Sequence, residues 1–314
     1  MISYCKLLCV CFSLSMAISC RQSAGVERIN ELKEYSSGSG ISFFDEKIYL
    51  MGDDMSYVLI TDTSFAPVDS IELQPGFNRI PKNIKPDMEG SSILRIKKSP
   101  FLLLLGSGSI FPYRSKGWLV NLRNEEKASI DLEPFYKRLE VNGIKALNIE
   151  GATAIPGGMV LANRGNKSIP KNYLIFTSAE FWQNQQTADL RIMKLGANND
   201  TASFSGVSGL DYSYKSDRLF LTVSTENTYG TQTDGTIGKS YLWMIDNISS
   251  KKRMAAINPS RIIDLEDLDD RFKGHKIESV CILSENKSEY HLALVADDDK
   301  GTSILFKIKV YKEE

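Results

Sequence analysis

The sequence has 314 residues, which is enough for two average domains or for one large all-β domain. It is 42% hydrophobic and 25% charged, as in an average soluble protein, and this excludes intrinsic disorder and a multi-span membrane protein. The 38 basic and 39 acidic side chains nearly cancel. Because no net positive field exists to hold nucleic acid, we expect no nucleic-acid partner.

The chain begins with a predicted targeting segment. Lys6 precedes an apolar stretch over residues 7–18, which is too short to span a bilayer but has the length of a signal-peptide core. Small residues then precede Cys20, and this ending resembles a bacterial lipobox. We therefore predict a signal peptide over residues 1–19, then a lipidated Cys20 and a polar tether over residues 20–25. The alternatives are an ordinary signal peptide cut nearby or a short N-terminal anchor.

Lipidation of Cys20 predicts a location in the bacterial cell envelope. The lipid would hold the mature protein at the periplasmic or outer-membrane face, and it would be the only contact with the membrane. Cys5, Cys9 and Cys11 would leave with the signal peptide. Cys281 would then be the one free thiol, so the mature chain would have no internal disulfide and no cysteine-based metal cluster.

Strand patterns dominate after residue 26, and one unit recurs five times. Each unit starts with a short strand, often preceded by a Glu-Gly pair, continues with a strongly apolar strand that ends in polar residues, and then has an aromatic or branched strand. The apolar strands cover residues 47–51, 101–105, 159–162, 219–223 and 292–296. A weaker fourth strand follows at residues 70–73, 127–132, 190–195 and 261–265. Short helices are predicted over residues 133–140 and 178–185.

The fifth unit has no fourth strand of its own, whereas residues 26–35 form an unassigned strand at the N-terminus. Adding that strand to the last unit would close a ring and remove the exposed sheet edges. Four-stranded units of roughly 50 to 70 residues are typical of propeller blades. The sequence therefore predicts an all-β fold over residues 26–314, a five-bladed propeller closed by the N-terminal strand. Residues 206–276 or 131–150 are long enough to contain a sixth blade. An irregular β-sandwich is the alternative fold.

Propeller topology brings the start of each first strand and the end of each second strand to one face. This places Glu89, Glu150 and Glu278 near Asp53 and Asp297, together with Asp211 from the fourth unit. Carboxylates at such density repel one another unless a cation lies between them, and hard oxygen ligands favour Ca²⁺. We therefore predict a calcium site at this face. The alternatives are that the carboxylates cap strand ends in solvated loops, or that they clasp neighbouring blades together.

Charged residues from the adjoining loops are expected on the same face. Arg114, Lys116 and Arg164 follow the second strands, and Glu226 ends one of them. Together with the carboxylates they predict a pocket for a small molecule, a glycan or a peptide. Surface salt bridges are the simpler interpretation of these residues.

The motif Asp87-Met88-Glu89-Gly90 and the Asp-Asp pairs that end blades resemble phytase-like and esterase-like β-propellers of bacteria, especially the uncharacterised lipoproteins of Bacteroidetes. The resemblance implies Ca²⁺ at the acidic pore residues and phosphate at the basic ones. The chain departs from the pattern at Ser107, Ser109 and Ser208, and no catalytic residue can be assigned. The leading hypothesis is a ligand-binding envelope lipoprotein. A calcium-dependent phosphoesterase or esterase and a structural component of an envelope assembly are the alternatives.

Overall fold

The computed structural model describes residues 23–196, 204–226, 230, 237–251, 254–297 and 301–313. The predicted signal peptide and Cys20 lie outside these residues. Within them the strands form five sheets, in which four consecutive strands, or three and the N-terminal strand, pair antiparallel. The innermost strands of the five sheets contact one another in a closed ring. The predicted five-bladed β-propeller is therefore confirmed.

The strands are numbered in chain order and belong to the blades as follows. Blade 1 contains β2 (Gly38–Phe44), β3 (Lys47–Gly52), β4 (Tyr57–Asp62) and β5 (Pro67–Glu72). Blade 2 contains β6 (Met88–Ile96), β7 (Ser99–Gly106), β8 (Lys116–Asn121) and β9 (Lys127–Asp131). Blade 3 contains β10 (Ile149–Ile155), β11 (Gly158–Asn163), β12 (Asn172–Thr177) and β13 (Leu190–Leu195), with the short β17 (Ala256–Ile257) added parallel to β13.

Blade 4 contains β14 (Ser205–Ser213), β15 (Arg218–Glu226), β16 (Ile237–Asp246) and β18 (Arg261–Asp264). Blade 5 contains β19 (Lys276–Glu285), β20 (Glu289–Asp297), β21 (Ser303–Tyr311) and, outermost, β1 (Ala24–Leu32). Two α-helices, α1 (Glu133–Val141) and α2 (Leu265–Leu268), lie in the connections.

The N-terminal strand closes the ring as predicted. It pairs antiparallel with β21, so that Ala24 lies opposite Val310 and Leu32 lies opposite Ser303. The strand starts two residues earlier than predicted and ends three residues earlier. The last blade thereby gains its fourth strand, and the edge of β21 is covered.

Neither segment considered for a sixth blade forms one in its described residues. Residues 131–150 contain α1, which confirms the helix predicted there, and the described part of residues 206–276 contains strands of blade 4, β17 of blade 3 and α2. The helix predicted over residues 178–185 is wrong, because this segment is a series of turns. Its neighbouring aromatic residues Phe181 and Trp182 are both buried, and Phe181 packs 4.5 Å from the Phe135 ring of α1.

Apolar contacts between neighbouring blades form the core. Five clusters of buried residues fill the spaces between blades 1 and 2, 2 and 3, 3 and 4, 4 and 5, and 5 and 1. Cys281 is a free, buried thiol in the cluster between blades 5 and 1, which confirms it as a small core residue. None of the helices in the described part of the chain is both long and apolar enough to cross a membrane.

Candidate functional site

Every innermost strand carries a β-bulge near its start. The register against the second strand skips one residue at the same point in all five blades. A bulge leaves one residue unpaired and changes the direction of its side chain. The five bulged residues are Ser39, Glu89, Glu150, Ser208 and Glu278. The recurring Glu-Gly pair of the sequence is therefore the signature of this bulge.

A cavity of about 520 Å³ opens at this end of the propeller axis, and we call it the acidic mouth. All five predicted metal ligands line it, and so do three of the four predicted ligand-binding residues. Its carboxylates, among the residues described, are Asp53, Asp54, Asp87, Glu89, Glu150, Glu226, Glu278 and Asp297. Its basic residues, in the same part of the chain, are Arg79, Lys82, Lys85, Arg114, Arg164 and Lys276. The mouth is thus a mixed ring of charges and not a purely acidic one.

One buried group of charges joins blades 1 and 2. The Lys85 ammonium donates to Asp53 at the end of β3 and lies 2.8 Å from Asp87, which precedes β6. The Arg114 guanidinium lies 2.7 Å from the other oxygen of Asp87, and the Ser107 hydroxyl donates to that oxygen at 2.6 Å. Burial alone would lower the pKa of Lys85, but the two carboxylates raise it above its ordinary value. Lys85 is therefore a permanent cation in this group.

A second group joins blades 3, 4 and 5. The Arg164 guanidinium after β11 lies 2.5 Å from Glu226 at the end of β15 and 3.7 Å from Glu150. The Lys276 ammonium lies 3.0 Å from Glu278 and 3.7 Å from Glu226. Both cations are almost fully enclosed, and the surrounding carboxylates overcome the effect of burial and raise the pKa of each. Arg164 and Lys276 thus join blades 3 and 5 to Glu226 of blade 4, whereas Glu150 and Glu278 each pair with the cation of their own blade.

Three carboxylates of the acidic mouth keep an oxygen without a partner in the described part of the chain. The first is Asp54, which contacts Arg79 through Oδ2 while its buried Oδ1 accepts no hydrogen bond, and the other two are Glu89 and Glu278. Among the described residues, Glu89 has no hydrogen-bond or ion-pair partner, and the pKa of Glu89 is raised well above its ordinary value by burial and then by Glu150 and Asp87. Glu278 contacts Lys276 through Oε1, while its buried Oε2 accepts no hydrogen bond. Burial is also the main reason why the pKa of Glu278 is raised to about 8. Both side chains line the cavity and have acceptor capacity that the fold does not use.

A group of three carboxylates in the acidic mouth can hold a metal ion. Asp53, Asp87 and Glu89 each bring one oxygen to within 4.8 Å of the others. Lys85 already contacts two of these residues, and Arg114 contacts one. A metal ion would therefore compete with two fixed cations of the protein.

Two residues placed at this face by the sequence lie elsewhere. Lys116 is outside the lining of the acidic mouth, and its ammonium faces Asp131 of the outermost strand at 3.6 Å. Asp211 lines a second cavity at the opposite mouth of the pore. The bulged residue of blade 4 is Ser208, and Asp211 comes three residues further along β14, so that it lies toward the other end of the axis.

Residues two positions before the bulge also line the acidic mouth, and none of them was predicted as a site residue. Asp87, Asn148 and Lys276 hold this position in blades 2, 3 and 5, and all three line the acidic mouth. Asn148 donates to Glu150 at 2.5 Å. Side chains two residues apart share one face of a strand, so the spacing alone was a usable signal. Blade 4 has Gly206 at this position, and a Cβ atom there would lie 2.4 Å from Nε of Arg164.

The fold and this mouth define a five-bladed β-propeller with a mixed-charge cavity at one end of its axis. The chain belongs to the DUF6929 family, a family of unknown function, whose sequence profile matches residues 34–310. Among curated proteins, none matches the sequence.

Solved structures that align with this chain are similar to it only distantly in sequence. Glutaminyl cyclase from Myxococcus xanthus aligns with a TM-score of 0.52 at 9% identity, over 92% of this chain and 97% of that chain. A DUF4221 family member from Bacteroides vulgatus aligns with a TM-score of 0.36 at 9% identity, over 84% and 76% of the two chains. A Bacteroides fragilis protein described as exported has a TM-score of 0.39 at 9% identity, over 93% of each chain. The first of these similarities concerns the fold alone.

Proposed function

We propose that this protein is a lipid-anchored protein of the bacterial envelope whose acidic mouth binds a small polar ligand through a cationic group. The observation that carries the proposal is a pair of carboxylates that line the cavity. Among the described residues Glu89 has no hydrogen-bond or ion-pair partner, and the buried Oε2 of Glu278 accepts no hydrogen bond. A buried acceptor without a partner costs about 1–3 kcal/mol, and more for a charged group. A ligand with a positively charged N–H group would supply both the charge and the hydrogen bonds.

The balance of charge supports a cationic ligand. The two buried groups and Glu89 comprise six carboxylates and four cations, namely Asp53, Asp87, Glu89, Glu150, Glu226 and Glu278 with Lys85, Arg114, Arg164 and Lys276. Two negative charges therefore remain when every group is ionised. Without a ligand, protons neutralise this excess, in agreement with the raised pKa values of Glu89 and Glu278. A bound ammonium group would replace a proton there.

An organic ammonium fits this mouth better than Ca²⁺. Calcium takes six to eight oxygen ligands, and the three-carboxylate group would have to supply several of them. Lys85 already lies between Asp53 and Asp87, so calcium could bind the group only after this ammonium had moved away. Calcium remains the second form of the proposal because the oxygens of Asp53, Asp87 and Glu89 lie close together.

The phosphoesterase alternative receives less support. Phosphate recognition needs cationic donors that are directed to the ligand. Lys85, Arg114, Arg164 and Lys276 each contact at least one carboxylate of the protein. A phosphate would add negative charge to a mouth that already has an excess of it.

Calorimetric titration of the purified protein tests the proposal. The probes are ethanolamine, glycinamide, glutaminamide and calcium chloride. Glutaminamide is included because the Myxococcus xanthus protein of the same fold is a glutaminyl cyclase. We expect binding of an ammonium probe, and binding about tenfold weaker or more in Glu89→Gln and Glu278→Gln, because a charge-assisted hydrogen bond is lost.

Glu140→Gln is the matched control, since this exposed glutamate lies on α1 outside the cavity and the substitution removes the same charge. Binding of calcium alone would contradict the organic ligand and leave the metal form of the proposal. If no probe binds, the proposed ligand site is wrong.

A further inference from the structure

The opposite mouth of the pore has a different chemical character. A cavity of about 740 Å³ opens there between the ends of the five innermost strands, and we call it the apolar mouth. Its lining is dominated by apolar and aromatic side chains, among them Phe43, Phe44, Ile93, Ile96, Trp182 and Tyr214. The lining also includes Arg95, Glu180, Asp211, Lys215 and Glu285, but no ion pair joins these residues to one another in the described part of the chain. The two ends of the propeller are therefore suited to different surroundings.

The turns around the apolar mouth carry residues that are common at membrane surfaces. The turns of blades 2, 4 and 5 expose Lys97, Lys98, Lys215 and Lys287, whereas the turn of blade 1 exposes Asp45 and Glu46. Tyr214 is 63% exposed beside Lys215. Tyrosine and lysine are both favoured at the boundary between lipid and water, because each combines an apolar stem with a polar tip.

The start of the described chain lies at this same end. Ala24 pairs with Val310 near the end of β21, while Leu32 pairs with Ser303 at the end that carries the acidic mouth. Cys20 precedes Ala24 by four residues, which span at most about 14 Å when fully extended. The nine residues of β1 separate the two ends by about 30 Å. A lipid on Cys20 would thus hold the end with the apolar mouth next to the bilayer.

We propose that the face around the apolar mouth rests on the lipid bilayer, so that the acidic mouth opens away from the membrane. The inference rests on the lipid anchor at Cys20 proposed above. Two independent observations support it: the short connection from Cys20 to β1, and the apolar cavity with its exposed tyrosine and lysines at the same face. The bilayer is the partner because the anchor brings this face to it before any other surface.

Fluorescence quenching in vesicles tests the orientation. A polarity-sensitive dye is attached to single cysteines introduced as Lys98→Cys and Lys215→Cys near the apolar mouth, and as Tyr113→Cys and Glu140→Cys as controls. Tyr113 and Glu140 are exposed in the β7–β8 connection and on α1, on the side of the acidic mouth. Native Cys281 is buried and so does not compete for the dye.

The full-length acylated proteins are reconstituted in vesicles of phosphatidylethanolamine and phosphatidylglycerol that contain a lipid-attached quencher. We expect quenching at positions 98 and 215 to be about twofold stronger or more than at positions 113 and 140, since only the former would lie near the headgroups. Equal quenching at all four positions, or stronger quenching at the controls, would overturn the orientation.

Mass spectrometry of the same preparations separates the two proposals. If Cys20 carries acyl chains and the quenching pattern is absent, the orientation is wrong and the anchor stands. If Cys20 carries no acyl chain, the proposed lipid anchor is wrong, and the proposed orientation, which depends on it, is wrong too.

Discussion

At the scale of single residues, blade 4 differs from blades 2, 3 and 5 because its bulged residue is Ser208 and not a glutamate. Gly206, two positions before this bulge, explains how blade 4 still contributes to the acidic mouth. The missing side chain leaves the space in which the Arg164 guanidinium lies, and Arg164 then reaches Glu226 at the end of β15. The bulged residue Ser208 is also small, and its hydroxyl donates to the backbone of Ile277 in blade 5 at 2.6 Å. The departure of blade 4 from the Glu-Gly pattern is therefore a packing requirement.

Gly206→Ala is expected to lower the free energy of unfolding by about 1–3 kcal/mol, because the new methyl group would overlap the buried Arg164 side chain. Chemical denaturation measures the change. Gly90→Ala is the matched control in β6, where the added Cβ would meet its nearest neighbours at 3.4–3.5 Å, as in ordinary packing. Equal losses in the two variants would show that the space beside Arg164 is not critical.

Asp211 gives a prediction for the dependence of stability on pH. Burial raises the pKa of Asp211 to about 6, although Tyr212 and Ile282 amides and the Thr153 hydroxyl donate hydrogen bonds to it. In the unfolded chain the pKa is about 3.9, so the folded state binds the proton more tightly. The contribution of Asp211 to stability is therefore complete below about pH 4 and is lost as the pH rises through about 6, by about 3 kcal/mol.

We expect Asp211→Asn to remove this loss, because the amide does not titrate. Between pH 4 and pH 7 the wild type should lose stability relative to the variant, as measured by urea denaturation at each pH. Asp45→Asn, in an exposed turn, serves as the control and should keep the pH dependence of the wild type. Parallel curves for wild type and Asp211→Asn would contradict the prediction.

At the scale of secondary-structure elements, β1 decides whether the ring is closed. Its pairing with β21 joins the two ends of the chain, and Leu32 packs in the cluster between blades 5 and 1. An open ring would expose the edge of β21 along its whole length, and exposed edges pair with other chains.

Deletion of residues 24–32 is expected to destabilise the fold by several kcal/mol and to promote aggregation, since a whole packed strand is lost. Thermal unfolding and size-exclusion chromatography measure the two effects. Removal of residues 313–314, which follow β21, is the control and should leave both nearly unchanged. A deletion variant that melts within about 2 °C of the parent would contradict closure by β1 as a source of stability.

At the scale of the whole molecule, charges hold neighbouring blades together at one end of the axis. Lys85 bridges blades 1 and 2, Arg164 bridges blades 3 and 4, and Lys276 bridges blades 4 and 5. Glu278 belongs to the last bridge through Oε1 only, and its Oε2 has no hydrogen-bond partner, while Glu89 takes part in no bridge among the described residues.

The proposed lipid anchor can be tested by substitution of Cys20. Cys20→Ala should leave an unprocessed precursor without acyl chains, because the lipobox reading requires the thiol as the acyl acceptor. Metabolic labelling with a fatty acid, followed by gel electrophoresis, measures both changes. Cys281→Ala is the control, since this buried thiol is not an acceptor. Equal labelling of Cys20→Ala and wild type would contradict lipidation at this residue.

The strands, their grouping into five units and the closure by the N-terminal strand could be predicted from the sequence. Alternating and apolar strand patterns can be recognised locally in the sequence. The last repeat lacks one strand and the N-terminus has one unassigned strand, and these two facts together predict how the ring closes. The same reasoning placed Glu89, Glu150, Glu278, Asp53 and Asp297 at one mouth. The helix predicted over residues 178–185 is wrong, because the segment forms turns in which the tertiary contact of Phe181 with Phe135 of α1 outweighs the local pattern.

Only the tertiary structure decided which of these charges are paired. Lys85 and Asp53 are 32 residues apart and Arg164 and Glu226 are 62 apart, so no local spacing indicates their contact. The offset of Asp211 from Ser208 likewise depends on where the bulge lies against β15. Charge pairing follows from three-dimensional distance and burial, and for this reason the unpartnered oxygens of Glu89 and Glu278 could be identified only in the folded protein.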